Sequence, residues 1–262
     1  DMGLIIKAMK KTRPTILPAV PPVYRRLMDV AKEQGISLQG VRYAVSGAMN
    51  LPPELVAEWE EASGGYMVEG YGLTECAPLV SCNPLNDTRR AGSIGIPFPS
   101  TDIRVVDPET LQDVPLGDEG ELWVHGPQCF AGYWKREEDT QKTITADGWL
   151  RTGDIVRLDE DYFIQIVDRI KEVIITGGVK VSPTEVETPL KQHDSVADAA
   201  VVGIPQASGG EMVVAAVIPA EGHAVDEHAL REHCYARVTR YKVPRKIVAV
   251  DDLPRSMLGK IL

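Results

Sequence analysis

No apolar run in these 262 residues approaches the roughly 20 that a membrane-spanning helix needs. The opening "DMGLIIKAMKKTRP" is amphipathic and has no signal-peptide cleavage pattern. Basic residues are in deficit: 28 Lys and Arg stand against 38 Asp and Glu, a net charge of −10. That balance excludes a broad phosphate-binding face of the kind nucleic acid requires, though glycines, lysines and backbone amides can still hold a nucleotide locally. The four cysteines, Cys76, Cys82, Cys129 and Cys234, have no C-x-x-C spacing and no histidine cluster beside them. They read as reduced thiols in a cytoplasmic protein, not as a disulfide frame or a zinc site. His125, His193, His223, His228 and His233 are scattered without metal spacing. Three catalytic signatures are also missing: the Walker loop, the dinucleotide fingerprint G-x-G-x-x-G, and a serine in a nucleophile elbow.

What is present alternates. "TILPAV" (15–20) reads as a strand, and "PPVYRRLMDVAKEQG" as a helix opened by proline and closed by Gly35. "VRYAVSG" (41–47), "LPPELVAEWEEASGG" and "YMVEGYG" (66–72) repeat the strand–helix–strand pattern. Such alternation predicts a parallel sheet, with ligands at the carboxyl ends of its strands. From about residue 91 the segments become short and are broken by Gly, Pro and Asp, which predicts antiparallel strands or a small barrel over 91–169. "DIVRLDEDYFIQIVDR" reads as a hairpin turning at Asp159–Asp161. From 170 to 262 the pattern predicts a small α+β domain. It has a Gly-Gly hairpin in "KEVIITGGVKV", a capping box from Ser182 to Glu185, two buried strands and an amphipathic helix. Residues 1–90 then form the sheet region of a larger α/β domain. The chain opens on Asp1 within what reads as a helix, so we expect a fragment.

The chemistry concentrates in a few stretches. In "EGYGLTE" (69–75), Gly70 and Gly72 permit close backbone approach, and Tyr71 offers a face for stacking. Thr74 offers a hydroxyl, and Glu75 a hard oxygen suited to Mg²⁺. A glycine-rich loop with a capping threonine accounts for the same spacing. "GWLRTGD" sets Asp154 after a tight turn, where a carboxylate can take both hydroxyls of a ribose or serve only as a turn residue. "DRIKEVIITGGVKV" places Arg169, Lys171 and Lys180 around a glycine turn, where charges are commonly solvated. "PRSMLGKIL" ends the chain with Lys260 on a glycine tip.

In order along the chain, "YAVSGA", "EGYGLTE", "GWLRTGD", "DRIKEVIITGGVKVSPTEVE" and "PRSMLGKI" resemble the adenylate-forming enzymes: acyl-CoA synthetases, luciferases and peptide-synthetase adenylation domains. "YGLTECAPLVSCNP" and "GPQCFAGYWKREEDT" are most similar to bacterial long-chain fatty acid–CoA ligases. The resemblance implies ATP, Mg²⁺ and coenzyme A as cofactor and substrates, with a fatty acid joined first to AMP and then to the CoA thiol. Ser46, Gly47 and Ala48 would line the adenine and acyl site. Glu69 and Gly70 would meet the adenine amino group, and Tyr71 would stack on the ring beside Gly72. Thr74 would hold the α-phosphate and Glu75 the magnesium. Asp154 would take the ribose with Arg169 beside it, and Lys171 would be the hinge of a mobile C-terminal domain. Gly178, Val179 and Lys180 would face the pantetheine, and Lys260 would bridge carboxylate and phosphate during adenylation.

Two departures matter. The family's phosphate loop, S-G-T-T-G-x-P-K-G, is absent, so this chain is expected to be inactive alone, and Ser256 stands where threonine is common. Partners are small molecules, without nucleic acid. Contact with the inner face of a membrane is compatible with a fatty acid substrate, although no anchor is encoded. Two rival readings remain open: transfer to a carrier-protein thiol in place of CoA, and a non-catalytic binding protein derived from a ligase.

Overall fold

The computed structural model describes residues 2–206, 209–256 and 261. The chain forms two compact units, Asp1–Thr152 with Val156–Ile166, and Gly153–Ile155 with Val167–Leu262.

The first unit opens with α1 (Met2–Thr12), β1 (Ile16–Ala19), α2 (Pro21–Glu33), β2 (Tyr43–Ser46), α3 (Pro53–Ser63) and β3 (Tyr66–Gly72). The three strands run parallel, Ile16 opposite Tyr43 and Tyr43 opposite Tyr66. Proline opens α2 and α3, where a missing N–H costs nothing, and Gly64 ends α3 in the left-handed conformation. The helices bury Tyr24, Leu27, Leu55 and Trp59 almost completely. Each such side chain removed from water contributes roughly 1.5–3 kcal/mol. Tyr24 meets Trp59 edge-on, with ring centroids 4.9 Å apart. Its hydroxyl lies 2.5 Å from Leu17 O and 3.0 Å from Val45 O, so α2 is tied to the two strands beneath it.

β4 (Leu79–Cys82) turns antiparallel to β3, and β5 (Ile96–Pro97) completes a five-stranded sheet in the order β1-β2-β3-β4-β5. β6 (Asp102–Val106), β7 (Glu119–His125), β8 (Leu150–Leu158) and β9 (Ile164–Arg169) form a four-stranded sheet, with helix α4 (Glu137–Thr143) between β7 and β8. It is a sheet and not the small barrel that the sequence texture suggested: no closed barrel is formed among the described residues. The β8–β9 turn is built by Asp159, whose carboxylate accepts from Asp161 N and Phe163 N, both at 2.9 Å.

The second unit contains β10 (Ile174–Thr176), β11 (Val179–Val181), α5 (Pro183–Lys191), β12 (Val196–Pro205), β13 (Glu211–Pro219), α6 (Glu227–Tyr235) and β14 (Lys246–Ala249). β10 and β11 are joined by Gly177 and Gly178, at φ +58° and +80°. Two consecutive positive φ values define the tight hairpin turn whose twist matches the strands, and glycine adopts them without strain. β12 and β13 pair antiparallel, and β14 adds parallel to β13. α5 and α6 close over them on a core that includes Val186, Leu190, Val213 and Leu230.

Only one half of the expected capping box forms. Ser182 Oγ accepts from Glu185 N at 3.2 Å, but the Glu185 carboxylate binds Lys242 Nζ, at 2.5 and 2.7 Å, instead of returning to Ser182. The second support at this helix start is Asp168, buried, which accepts from Ser182 Oγ at 2.6 Å. Among the described residues no helix is long and apolar enough to cross a membrane.

Candidate active site

In the first unit the candidate residues gather at the carboxyl ends of β2 and β3. Ser46 lies opposite Glu69 in the parallel register. A Cβ added to Gly47 would stand 3.3 Å from Gly70 O, so glycine there lets the two strand ends close together. Ala48 follows, exposed, at φ +65°. Ser46 Oγ is fully buried and has no hydrogen-bond partner among the described residues.

Glu69 is 6% exposed, and its carboxylate accepts from Leu51 N at 3.3 Å, fastening the 47–51 loop to β3. Burial pushes its carboxyl up from 4.5 to about 8, and the Leu51 bond opposes this only in part. Glu69 is therefore a neutral acid at pH 7. It lines a cavity of about 240 Å³ that also contains Glu60, Asn83 and Arg89.

The two glycines of "EGYGLTE" differ in what requires them. A Cβ at Gly70 would meet nothing closer than 3.7 Å, whereas at Gly72 it would fall 1.8 Å from Pro78 O. The close approach that Gly72 permits here is to the chain's own backbone. Thr74, Glu75 and Cys76 form a single 3₁₀ turn. Thr74 is exposed, and its hydroxyl has no partner among the described residues. Glu75 is held at both ends: its carbonyl accepts from Phe130 N at 2.7 Å, and its carboxylate accepts from Tyr133 OH at 2.6 Å. That bond to a carboxylate raises the Tyr133 phenol above its usual range.

Tyr133 is the residue that sequence reasoning left without a role. "AGYWK" carried part of the family resemblance, but nothing in its spacing points to a partner 58 residues earlier. Glu75 suits magnesium chemically as a half-buried carboxylate between exposed Thr74 and buried Cys76. Mg²⁺ is commonly held by one or two carboxylates plus substrate phosphates, so a single protein carboxylate fits that mode.

In the second unit Asp154 and Arg169 come together. Asp154 is 7% exposed and accepts from Arg169 Nε at 2.9 Å, while the Arg169 side chain remains half exposed. Lys171, Gly178, Val179 and Lys180 are exposed, the last three on the β10–β11 hairpin. Lys260 lies outside the described residues.

These features define a mixed α/β protein with its candidate residues grouped at the carboxyl ends of two parallel strands. The profile of the AMP-binding enzyme family matches residues 1–134, and that of the AMP-binding enzyme C-terminal domain matches residues 185–260. The chain belongs to the AMP-binding enzyme family. A long-chain-fatty-acid–CoA ligase of Yersinia pestis is 39% identical over 262 residues, covering all of this chain and 46% of the relative. A ligase of the same name from Bacillus subtilis is 37% identical over 257 residues, covering 98% of this chain and 46% of its own length. Among solved structures, ATP-bound MatB from Rhodopseudomonas palustris superposes with a TM-score of 0.90 at 34% identity, over all of this chain and 51% of MatB. The chain thus spans about half the length of the curated relatives it matches.

Proposed function

We propose that this chain serves a long-chain fatty acid–CoA ligase, in which a fatty acid displaces pyrophosphate from ATP and the CoA thiol then displaces AMP. The observation that carries this reading is the juxtaposition of 46–48 and 69–75 at adjoining carboxyl ends of β2 and β3. In an α/β sheet that is where ligands bind. Under this reading Ser46, Gly47 and Ala48 border the adenine and acyl group, and Gly70 and Tyr71 face the ring. Glu69 shapes the pocket by holding the 47–51 loop. Thr74 donates its free hydroxyl to the α-phosphate, and Asp154, oriented by Arg169, accepts from the ribose hydroxyls.

Glu75 would hold magnesium, which when bound offsets the negative charge of the phosphates. Lys260 would place a cation where charge builds up between carboxylate and phosphate. Residues 170–262 would turn about Lys171 between the two half-reactions, bringing Gly178, Val179 and Lys180 to the pantetheine. The names of the curated relatives favour CoA over a carrier-protein thiol as acceptor.

The test is equilibrium binding of AMP and of a palmitoyl-adenylate sulfamoyl mimic to the chain. Saturable binding of the mimic is expected, weakened about 10-fold or more by Asp154→Ala, since a buried charged hydrogen-bond partner contributes roughly 1.5–3 kcal/mol. Equal affinity in wild type and variant, or no binding at millimolar AMP, would overturn the assignment of the nucleotide site.

A further inference from the structure

The segment that holds Glu75 also brings two thiols into contact. Cys76 Sγ and Cys129 Sγ lie 3.7 Å apart although 53 residues separate them in sequence. Their backbones meet one residue away, where Phe130 N donates to Glu75 O at 2.7 Å. A disulfide needs its sulfurs at about 2.05 Å. With the neighbouring backbones already bonded to each other, the remaining gap is within reach of side-chain rotation.

Burial divides the two thiols by role. Cys76 is 0% exposed, and Cys129 is only partly covered. The other two cysteines are placed differently: Cys82 lies on β4, and Cys234 is buried in the core of the second unit. We propose that Cys76 and Cys129 are a reversible redox-modification site, with Cys129 reacting first with a hydroperoxide and Cys76 resolving it into an intramolecular disulfide. This inference goes beyond the ligase reading and does not depend on it.

The Cys129 sulfur attacks the peroxide O–O bond, releasing an alcohol or water and leaving a sulfenic acid. The Cys76 sulfur attacks that sulfur, an S–S bond forms as the S–O bond breaks, and the departing hydroxide leaves as water with the Cys76 proton. Two thiols and one hydroperoxide give one disulfide, one water, and the alcohol or second water. Two electrons pass from sulfur to the peroxide oxygens. A small dithiol reverses the modification. The crosslink would join the Thr74–Cys76 turn covalently to the 126–133 segment.

The experiment uses the whole chain, reduced, freed of reductant and exposed to a small excess of hydrogen peroxide. After denaturation, titratable thiols should fall from four to two and return to four on treatment with dithiothreitol. Tryptic cleavage should join peptide 43–89 to peptide 105–135. The first of these contains both Cys76 and Cys82, so Cys82→Ser assigns the partner. The link should persist in that variant and vanish in Cys129→Ser and in Cys76→Ala. Should Cys76→Ala fail to fold, Cys129→Ser and Cys82→Ser together still decide the matter. Survival of all four thiols, a link through Cys82, or Cys129 carried on to sulfinic acid with Cys76 still free would each overturn the proposal.

Discussion

Glu69 makes stability depend on pH in a direction opposite to that of a salt-bridged carboxylate. Its carboxyl is raised from 4.5 to about 8 by burial, so over the interval between those values the folded chain keeps a proton that the unfolded chain has lost. Where the folded state binds more protons, stability falls as pH rises. The stabilisation is fully present below about pH 4.5, declines by about 1.4 kcal/mol per pH unit, and is lost once pH passes about 8. Between about pH 5 and pH 7 the expected loss is of order 2–3 kcal/mol.

Glu69→Gln replaces the neutral acid by a neutral isostere whose amide oxygen can still accept from Leu51 N. The variant should be less pH-sensitive than wild type by that amount. Glu60, Asp87, Arg89 and Arg90 line the same cavity and also titrate or carry charge, but they are common to both proteins and cancel in the difference. All four tryptophans, Trp59, Trp123, Trp134 and Trp149, belong to the first unit, so urea unfolding followed by tryptophan fluorescence reports the unit that contains Glu69. Parallel stability–pH curves for wild type and variant would refute the reasoning and mean that Glu69 is ionised and solvated in the folded chain.

Two further outcomes follow from the same strand and turn. Gly72→Ala should destabilise the first unit by roughly 1–3 kcal/mol, because its Cβ would fall 1.8 Å from Pro78 O, while Gly70→Ala should leave it nearly unchanged; the urea midpoints of the pair measure the contrast, and equal midpoints would contradict it. If Glu75 holds magnesium as proposed, Tyr133→Phe removes the hydroxyl that orients it, and such outer-shell partners are commonly worth about 10-fold or more in affinity. Electron paramagnetic resonance of Mn²⁺ in the presence of AMP should show binding weakened by about that factor, with urea stability within about 1 kcal/mol of wild type.

The strands and their turns were legible because their signals are local. "YMVEGYG" marks β3 over Tyr66–Gly72, and the Gly177–Gly178 turn follows from the need for positive φ at both positions. Helix α4 was not legible: none of its residues is buried, so it writes no apolar period into the sequence. β14 has four residues, begins on a lysine, and owes its pairing to β13, with α6 lying between the two in the chain. The capping box failed at Glu185 because a tertiary partner, Lys242, competes for its carboxylate. At the candidate site the same division holds. The adjacency of Ser46 and Glu69 follows from two neighbouring parallel strands, whereas the Tyr133 contact to Glu75 depends on how a later loop returns to the sheet.

That returning loop gives the Thr74–Cys76 turn its definition. A single 3₁₀ turn of three residues has little internal cooperativity, and poor hydrogen-bond geometry keeps such turns short. Here the 126–133 segment compensates by meeting the turn at three points: Phe130 N on the Glu75 carbonyl, Tyr133 OH on the Glu75 carboxylate, and Cys129 Sγ on Cys76 Sγ. Tyr133 is fixed in turn by its own N–H, which donates to Thr140 Oγ1 at 2.9 Å, and by the Phe130 ring set edge-on at 4.8 Å. The one polar side chain of the turn left without a partner among the described residues is Thr74. A hydroxyl held out on a braced turn loses little further backbone freedom on meeting a ligand, which is the preorganisation that the proposed contact of Thr74 with the α-phosphate would use.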